Sequence, residues 1–317
     1  MKLHVSSSPH VHAPQTTQSI MRDVLIALAP ATVVAVVYFG LNALILVVAS
    51  VASAVLTEWI IQKLTHKKVT ISDCSAAVTG LLLALNLPVG CRWWAAVLGA
   101  AFAIAIVKQA FGGLGQNFMN PALAARAVLM TAYPAMMSGT SYQSPNFWGD
   151  AVSGATPLSL LKDGYTASLP FSWEMFLGLR GGVIGEVCTL ALVIGLVYLL
   201  IRRVITWHIP VIYIGLVFLA GLVLNGFNLE VALCYTLGGG LFLGAIFMAT
   251  DYTTNPNTIR GQAIFAVGCA VLTVCIRQFG SMPEGVSYSI LLMNLVTPLI
   301  DRFVNPPLFG RRKRHAA

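Results

Sequence analysis

Ten apolar stretches follow one another along this chain, and no soluble fold accommodates so many. They cover approximately 22–40, 42–62, 72–88, 93–110, 121–136, 181–201, 208–225, 230–249, 262–279 and 286–303, several of them short or interrupted by Gly and Pro. A bilayer crossing takes about 20 apolar residues, so ten would use roughly 200 of the 317 residues. Charged residues make up only 9%, against about 25% in ordinary soluble domains, too few to cover a globule in water. The expected fold is therefore all-α: a polytopic membrane protein of about ten transmembrane helices, with the lipid bilayer as its solvent. Five spans on each side of the segment 137–180 give two halves of opposite orientation, 22–136 and 181–303, between a polar tail (1–21) and a basic tail (304–317).

The basic residues set the expected orientation. With the N-terminus cytoplasmic, that side collects Lys2, Arg22, Lys63, Lys67, Lys68, Lys108, Arg126, Arg202, Arg203, Arg260, Arg302, Arg311, Arg312, Lys313 and Arg314. The other side holds Arg92, Lys162, Arg180 and Arg277. Fifteen against four places both termini in the cytoplasm and segment 137–180 outside it. Trp59, Trp93, Trp94 and Trp207 fall at span ends, where an interfacial belt would put them. The net charge of +8 is thus a matter of topology, and nucleic acid is not an expected partner.

The polar start carries no short apolar core with a small-residue cleavage site, so the first apolar run reads as a permanent span. The six cysteines form no CxxC and sit mostly in apolar stretches, as small buried hydrophobes do. His10 and His12 lie in the polar tail and are not read as metal ligands; no metal is expected. Gly181/Gly185 and Gly240/Gly244 have the small-xxx-small spacing of closely packed helices.

Segment 137–180 is rich in Ser, Gly, Pro and Asn and contains Asp150-Ala-Val-Ser153-Gly154-Ala155-Thr156-Pro157. A D-x-x-[ST]-G-A-T string arises by chance in about one chain in a thousand of this length. It offers a threonine hydroxyl between small neighbours, with acidic and hydroxyl groups upstream for a modifying enzyme to grip. The plainer reading is a Ser-Gly turn.

Asp150 to Thr156 matches the recognition motif of the flavin transferase that esterifies FMN, through its phosphate, to threonine. Further matching segments are Ser8-Pro9-His10, Phe111-Gly-Gly-Leu-Gly-Gln-Asn117 with Asn120-Pro121-Ala-Leu, Ala249-Thr-Asp251-Tyr with Asn255-Pro256, Pro283-Glu-Gly-Val-Ser287 and Leu291-Leu-Met-Asn294. With these, nearly the whole chain resembles the D subunits of Rnf complexes, ion-translocating ferredoxin–NAD oxidoreductases. More distantly it is similar to the B subunits of sodium-pumping NADH:quinone reductases. The resemblance implies covalent FMN on Thr156, outside the cytoplasm, with Asp150, Ser153, Gly154 and Ala155 as the transferase motif. It further implies a bacterial inner-membrane setting, other membrane and cytoplasmic subunits as partners, and a flavin transferase for maturation. The quinone reductase relative also holds a non-covalent riboflavin, and the matching segment here offers Asn117 and Asn120 as amide partners for the ring. The alternative for these asparagines is that they satisfy backbone groups freed at a glycine-rich break.

Ionisable residues near span interiors are candidates for an ion path: Glu186 first, then Glu58 and Asp251, with Glu230 and Arg277 beside them. No catalytic set for hydrolysis and no dinucleotide or iron–sulfur motif is evident, so the chain is expected to work as one component of a redox-driven pump for Na⁺ or H⁺. The competing reading is a secondary transporter or channel built from inverted repeats, with no redox role.

Overall fold

The structure, a computed structural model, describes residues 16–137, 142–145, 147, 154–164, 172–280 and 284–304. His10, His12, Trp148, Asp150, Ser153 and the basic run 311–314 lie outside the described residues. Fourteen α-helices appear among the described residues, and no strand beyond two isolated bridges.

The chain enters at α1 (Thr17–Phe39), whose start is fixed by a capping box between Thr16 and Ser19. Gly40, at φ 69°, turns the backbone directly into α2 (Leu41–Leu64). The packing of these helices is that of a protein in lipid. On α1 the buried stripe is Asp23, Ala27, Leu28, Ala31, Ala35 and Phe39, mostly small residues that let neighbours approach. The large apolar side chains Ile26, Val33 and Val37 face outward, Val33 with 61% of its surface free. A soluble helix would bury those and expose polar groups.

The next elements are α3 (Ser75–Leu85), α4 (Trp93–Phe102), which runs on as a π-helical turn over Ala103–Gln109, α5 (Pro121–Ala132) and α6 (Pro134–Met137). Segment 137–180 contributes the short helices α7 (Pro157–Lys162) and α8 (Ser172–Leu177). Then come α9 (Thr189–Ile201), α10 (His208–Leu224), α11 (Leu229–Leu237) and α12 (Leu241–Leu243), which passes into a second π-helical turn over Gly244–Met248. The fold closes with α13 (Ile259–Phe279) and α14 (Val286–Phe303). The closest pairings set α2 against α3 and α4, α1 against α9, and α13 against α10 and α14.

The protein is thus all-helical among the described residues, with several apolar helices, as a multi-pass membrane protein requires. Three helices, α1, α2 and α13, are long and apolar enough to cross a membrane alone. At 1.5 Å per residue α1 reaches about 35 Å, enough for a hydrocarbon core of about 30 Å. The pair α11 with α12 and its π-turn passes the same length and composition test only when taken together, bent by 57° at Gly238–Gly240, which is the form of a broken span or a re-entrant loop. Five further apolar stretches are helices of 10–17 residues, too short to span singly.

The short helices have a structural cause. The stretches at 72–88 and 181–201 do not continue as helix through their apolar length: α3 stops at Leu85 and α9 starts only at Thr189. Between them, non-helical turns from each side meet in the interior. Gly185 N–H donates to the Leu85 carbonyl at 2.8 Å and Ile184 N–H to that of Leu87 at 3.1 Å. Leu85, Leu87 and Ile184 are fully buried around this junction. Non-helical backbone inside a membrane protein survives only where protein supplies its hydrogen bonds, and here it does. Gly185 is required: a Cβ would lie 2.5 Å from that of Leu85. Gly185 therefore serves close approach, but in a non-helical turn and not on a helix face, while a Cβ on Gly181 would meet its neighbours only at ordinary contact distance.

Candidate functional site

Two π-helical turns open onto one cavity of about 80 Å³. The first, ending α4, brings Lys108; the second, following α12, brings Ile246 and Phe247. Such turns widen the helix and free carbonyls, and they recur at functional sites. Each is followed by a loop that lines the same cavity, with Leu114, Asn117 and Asn120 in one and Thr250, Asp251 and Thr253 in the other. Asn117 Nδ2 donates to Thr253 Oγ1 at 2.9 Å, tying the loops together across 136 residues. Val78 and Leu82 of α3 and Val24 of α1 supply apolar wall.

Both sequence-predicted asparagines are therefore at the cavity, and each also has a backbone role. Asn120 is the N-cap of α5: its Oδ1 accepts from the N–H groups of Ala122 and Leu123, and Pro121 takes the first helical position. Its Nδ2 reaches the Met248 carbonyl at 3.4 Å, a bond to the second π-turn. Asn117 Nδ2 also donates to the Met119 carbonyl.

Thr156 stands apart from this cavity. It is buried and caps α7, its hydroxyl accepting from Ser159 N–H at 3.3 Å while Ser159 Oγ donates back to the Thr156 carbonyl at 2.7 Å. Pro157 is at the first helical position. Leu158, one residue further on, packs over Gly238 and Gly239 at the break between α11 and α12. Gly154 N–H is held by the Tyr142 carbonyl at 3.2 Å.

Below that break lies a buried charged core, of which the sequence singled out Glu186 and Arg277 but not Arg126, Arg180 or Glu284. Arg277 donates to the carbonyls of Tyr235 and Gly238, and Arg180 to those of Leu237 and Glu186. These two guanidinium groups satisfy the carbonyls left open where α11 ends. Arg126 pairs with Glu284 at 2.6 Å and also donates to Asn86 Oδ1 and Ser287 Oγ. The Glu186 carboxylate fits between two glycines: a Cβ on Gly182 or on Gly240 would come within 2.9 Å of its oxygens. Each of these five charged groups is less than 10% exposed.

A comparison of the sequence with known proteins gives a decisive match: the profile of the NQR2, RnfD, RnfE family covers residues 4–310. The chain belongs to that family. It is 51% identical over 315 residues to the D subunit of the Na⁺-translocating ferredoxin:NAD⁺ oxidoreductase complex of Acetobacterium woodii, covering 99% of this chain and 97% of the relative. It is 45% identical over 323 residues to the D subunit of the proton-translocating ferredoxin:NAD⁺ oxidoreductase complex of Clostridium ljungdahlii, covering 98% and 96%. Against the D subunit of the ion-translocating oxidoreductase complex of Escherichia coli K12/DH10B it is 33% identical over 353 residues, covering 99% and 100%.

Within this member of the NQR2, RnfD, RnfE family, the ion-path candidates fall into three environments. Asp251 is half-buried on the cavity wall and accepts from the hydroxyls of Thr253 and Thr254. Glu58 is fully buried behind the same cavity, in a 2.9 Å ion pair with Lys108. Glu186 belongs to the charged core, with Arg277. Glu230 is exposed in the first turn of α11. Lys108 and Arg126 do not act as cytoplasmic surface charges, nor Arg180 and Arg277 as opposite-side ones, since all four are buried. Removing two from each side leaves thirteen against two. Lys108 and Ser75 are the cavity residues that sequence reading missed; the usable signal was a lysine followed by glutamine late in an apolar stretch.

Proposed function

We propose that this chain is the flavin-carrying membrane component of an ion-translocating ferredoxin:NAD⁺ oxidoreductase complex. In this reading FMN is esterified through its phosphate to Thr156 Oγ1, and a second, non-covalent flavin, riboflavin, occupies the cavity between the two π-turns. The observation that carries the reading is the Asp150–Thr156 string in a chain 51% identical, over nearly its full length, to a component of such a complex.

The residues present suit both groups. Thr156 offers the alcohol a phosphoester needs next to the exposed Ala155, and because Thr156 itself is buried as the cap of α7, the transferase would have to reach it with the start of that helix displaced. The cavity combines apolar wall from Val78, Leu82 and Phe247 with the amide of Asn117 and the hydroxyl of Thr253. That is the mixture a flat ring with one apolar and one polar edge demands. A bound flavin supplies one- and two-electron chemistry, while the chain's own residues fix its position, polarity and access to water. Leu114 and Phe247 close off apolar surface; Asn120 holds α5 and the second π-turn in register around the site.

The thirteen-to-two bias of the remaining basic residues supports cytoplasmic termini and an extracytoplasmic Thr156. The multi-pass chain would then lie in the bacterial inner membrane, with a flavin transferase acting on that outer segment. Relatives at 51% and 45% identity carry different ions in their names. Their names therefore do not assign an ion to this chain, and we propose cation coupling of the complex without naming the ion.

The test is in-gel flavin fluorescence after complete denaturation, with the transferase co-expressed. A fluorescent wild-type band that goes dark in Thr156→Val supports the reading. A dark wild-type band overturns it and returns the transporter alternative to first place.

A further inference from the structure

A second opening, an exposed vestibule of about 580 Å³, lies against the flavin cavity and is lined by Gln62, Thr70, Asp73 and Gln109 among others. Leu114 lines both spaces and is the apolar part of the wall between them. Beside Leu114 the wall is polar. Asp73 faces the vestibule, while Ser75 and Lys108 face the cavity. Lys108 Nζ donates to Ser75 Oγ at 2.6 Å, and Ser75 Oγ donates to Asp73 Oδ1 at 2.6 Å. The three groups form an unbroken hydrogen-bonded row from water to the cavity, one side chain thick.

A purely structural ion pair does not need this arrangement. Glu58 alone neutralises Lys108, with its oxygens 2.9 and 3.0 Å from Nζ, and is itself held by the amides of Gln109 at 2.7 Å and Gln62 at 3.3 Å. Burying that pair costs desolvation that well-packed apolar residues would avoid. The pair instead delivers the ammonium group to the cavity edge, with its next hydrogen bond leading outward. The charged groups around Lys108 are Glu58 behind it, Asp73 beyond Ser75, Asp251 on the same cavity wall, and Lys67 and Lys68 at the vestibule.

We propose that Asp73, Ser75 and Lys108 are a proton path from the vestibule to the flavin cavity. The proposal rests on the flavin reading above. Electrons reach the flavin from redox partners in the complex, and reduction requires protons from water. Lys108 gives one proton to the reduced flavin, breaking one N–H bond on Nζ as one bond to hydrogen forms on the flavin. The Asp73 carboxylate first takes a proton from hydronium in the vestibule; the neutral amine then takes the Ser75 hydroxyl proton as the Asp73 carboxylic acid gives its proton to Ser75, which restores the carboxylate. One proton enters for each delivered, and no electron travels along the row. Glu58 is a positioning residue that keeps Nζ aimed at Ser75.

The experiment uses the intact purified complex in a Thr156→Val background, so that attached FMN consumes no protons. A viologen radical, which carries electrons without protons, reduces it in stopped flow with a pH-indicator dye, in H₂O and in D₂O. Acid-extractable riboflavin is measured in parallel. Ser75→Ala should keep its riboflavin while the proton uptake tied to that flavin slows by about 10²-fold, the scale of a lost proton-transfer group; Ser75→Thr should restore the rate and the isotope effect. Full riboflavin with unchanged uptake in Ser75→Ala overturns the path and leaves the flavin reading standing. A complex whose wild-type chain yields no riboflavin overturns both.

Discussion

Arg126 and Glu284 are 158 residues apart in sequence, yet Nη2 and Oε2 meet at 2.6 Å with both side chains more than 90% buried. The pair joins α5 to the segment leading into α14 and places a full positive charge at the centre of the second half's broken helix. Removing one partner leaves the other charged, buried and unpaired, which costs about 3–5 kcal/mol. Arg126→Gln and Glu284→Gln should each lower the thermal stability of the detergent-solubilised protein sharply. The double variant Arg126→Met/Glu284→Leu should lose less than either single change. Additive losses in the double variant would show that the two residues do not act as a pair.

The junction of α3 and the non-helical segment before α9 makes a second, sharply graded prediction. Gly185→Ala puts a methyl group 2.5 Å from the Leu85 Cβ and 2.9 Å from its carbonyl oxygen. Backbone on both sides must move, so the cost should be at least about 1–3 kcal/mol. Gly215→Ala in α10 meets nothing within 4 Å and removes a helix-interior glycine, so it should be neutral or stabilising by up to about 1 kcal/mol. Melting of the two variants side by side checks the contrast. Equal behaviour would mean that the junction is looser than its hydrogen bonds imply.

These positions also show what was legible in the sequence. The long helices α1, α2 and α13 could be read because their apolar runs stay helical from end to end. The runs at 72–88 and 181–201 could not be divided correctly, because apolar content reports burial and not helicity. The backbone of 182–187 is as buried as a helix while it turns against Leu85 and Leu87. Gly185 signalled close approach correctly and helix wrongly. Charges were harder: the position of Lys108 or Arg126 near a span end says nothing about a partner 50 or 158 residues away. Asn117 and Asn120, picked out by family resemblance, do line one cavity, but their capping and loop-tying bonds show that backbone demands select them too.

Thr156 both caps α7 and is the proposed attachment point, so Thr156→Val confounds two losses. Removing a capping hydroxyl costs about 0.5–2 kcal/mol. Asparagine caps as well as threonine but has no alcohol to esterify. Thr156→Asn should therefore accumulate at the wild-type level and melt at the wild-type temperature, yet give no fluorescent band after denaturation. Retained fluorescence in Thr156→Asn would place the covalent flavin on another residue.

Asn117 ties its loop to Thr253 at 2.9 Å across the cavity. Asn117→Ala and Thr253→Ala should both reduce acid-extractable riboflavin per polypeptide while leaving covalent flavin unchanged. If the tie acts as a unit, the double variant should lose about as much as either single one, a coupling of about 0.5–3 kcal/mol in a double-mutant cycle. Asn120→Ala differs: it uncaps α5, at about 1 kcal/mol, and should lower stability together with flavin content. Intact riboflavin in Asn117→Ala would remove this cavity as the non-covalent flavin site.

Glu186 separates an ion-path role from a structural one. Together with Glu284 it faces Arg126, Arg180 and Arg277, so the five groups sum to +1, and Glu186→Gln raises that to +2 without changing shape. Its Oε2 receives no hydrogen bond in the buried core, so the carboxylate contributes through charge more than through a specific donor. A structural role predicts that Glu186→Gln melts earlier, with the residual folded complex still coupling electron transfer to ion movement. An ion-path role predicts the reverse: a normal melting temperature and electron transfer that continues while ion movement into proteoliposomes stops. The mutual repulsion of three buried guanidinium groups favours the first outcome, and a stable but uncoupled Glu186→Gln complex would refute it.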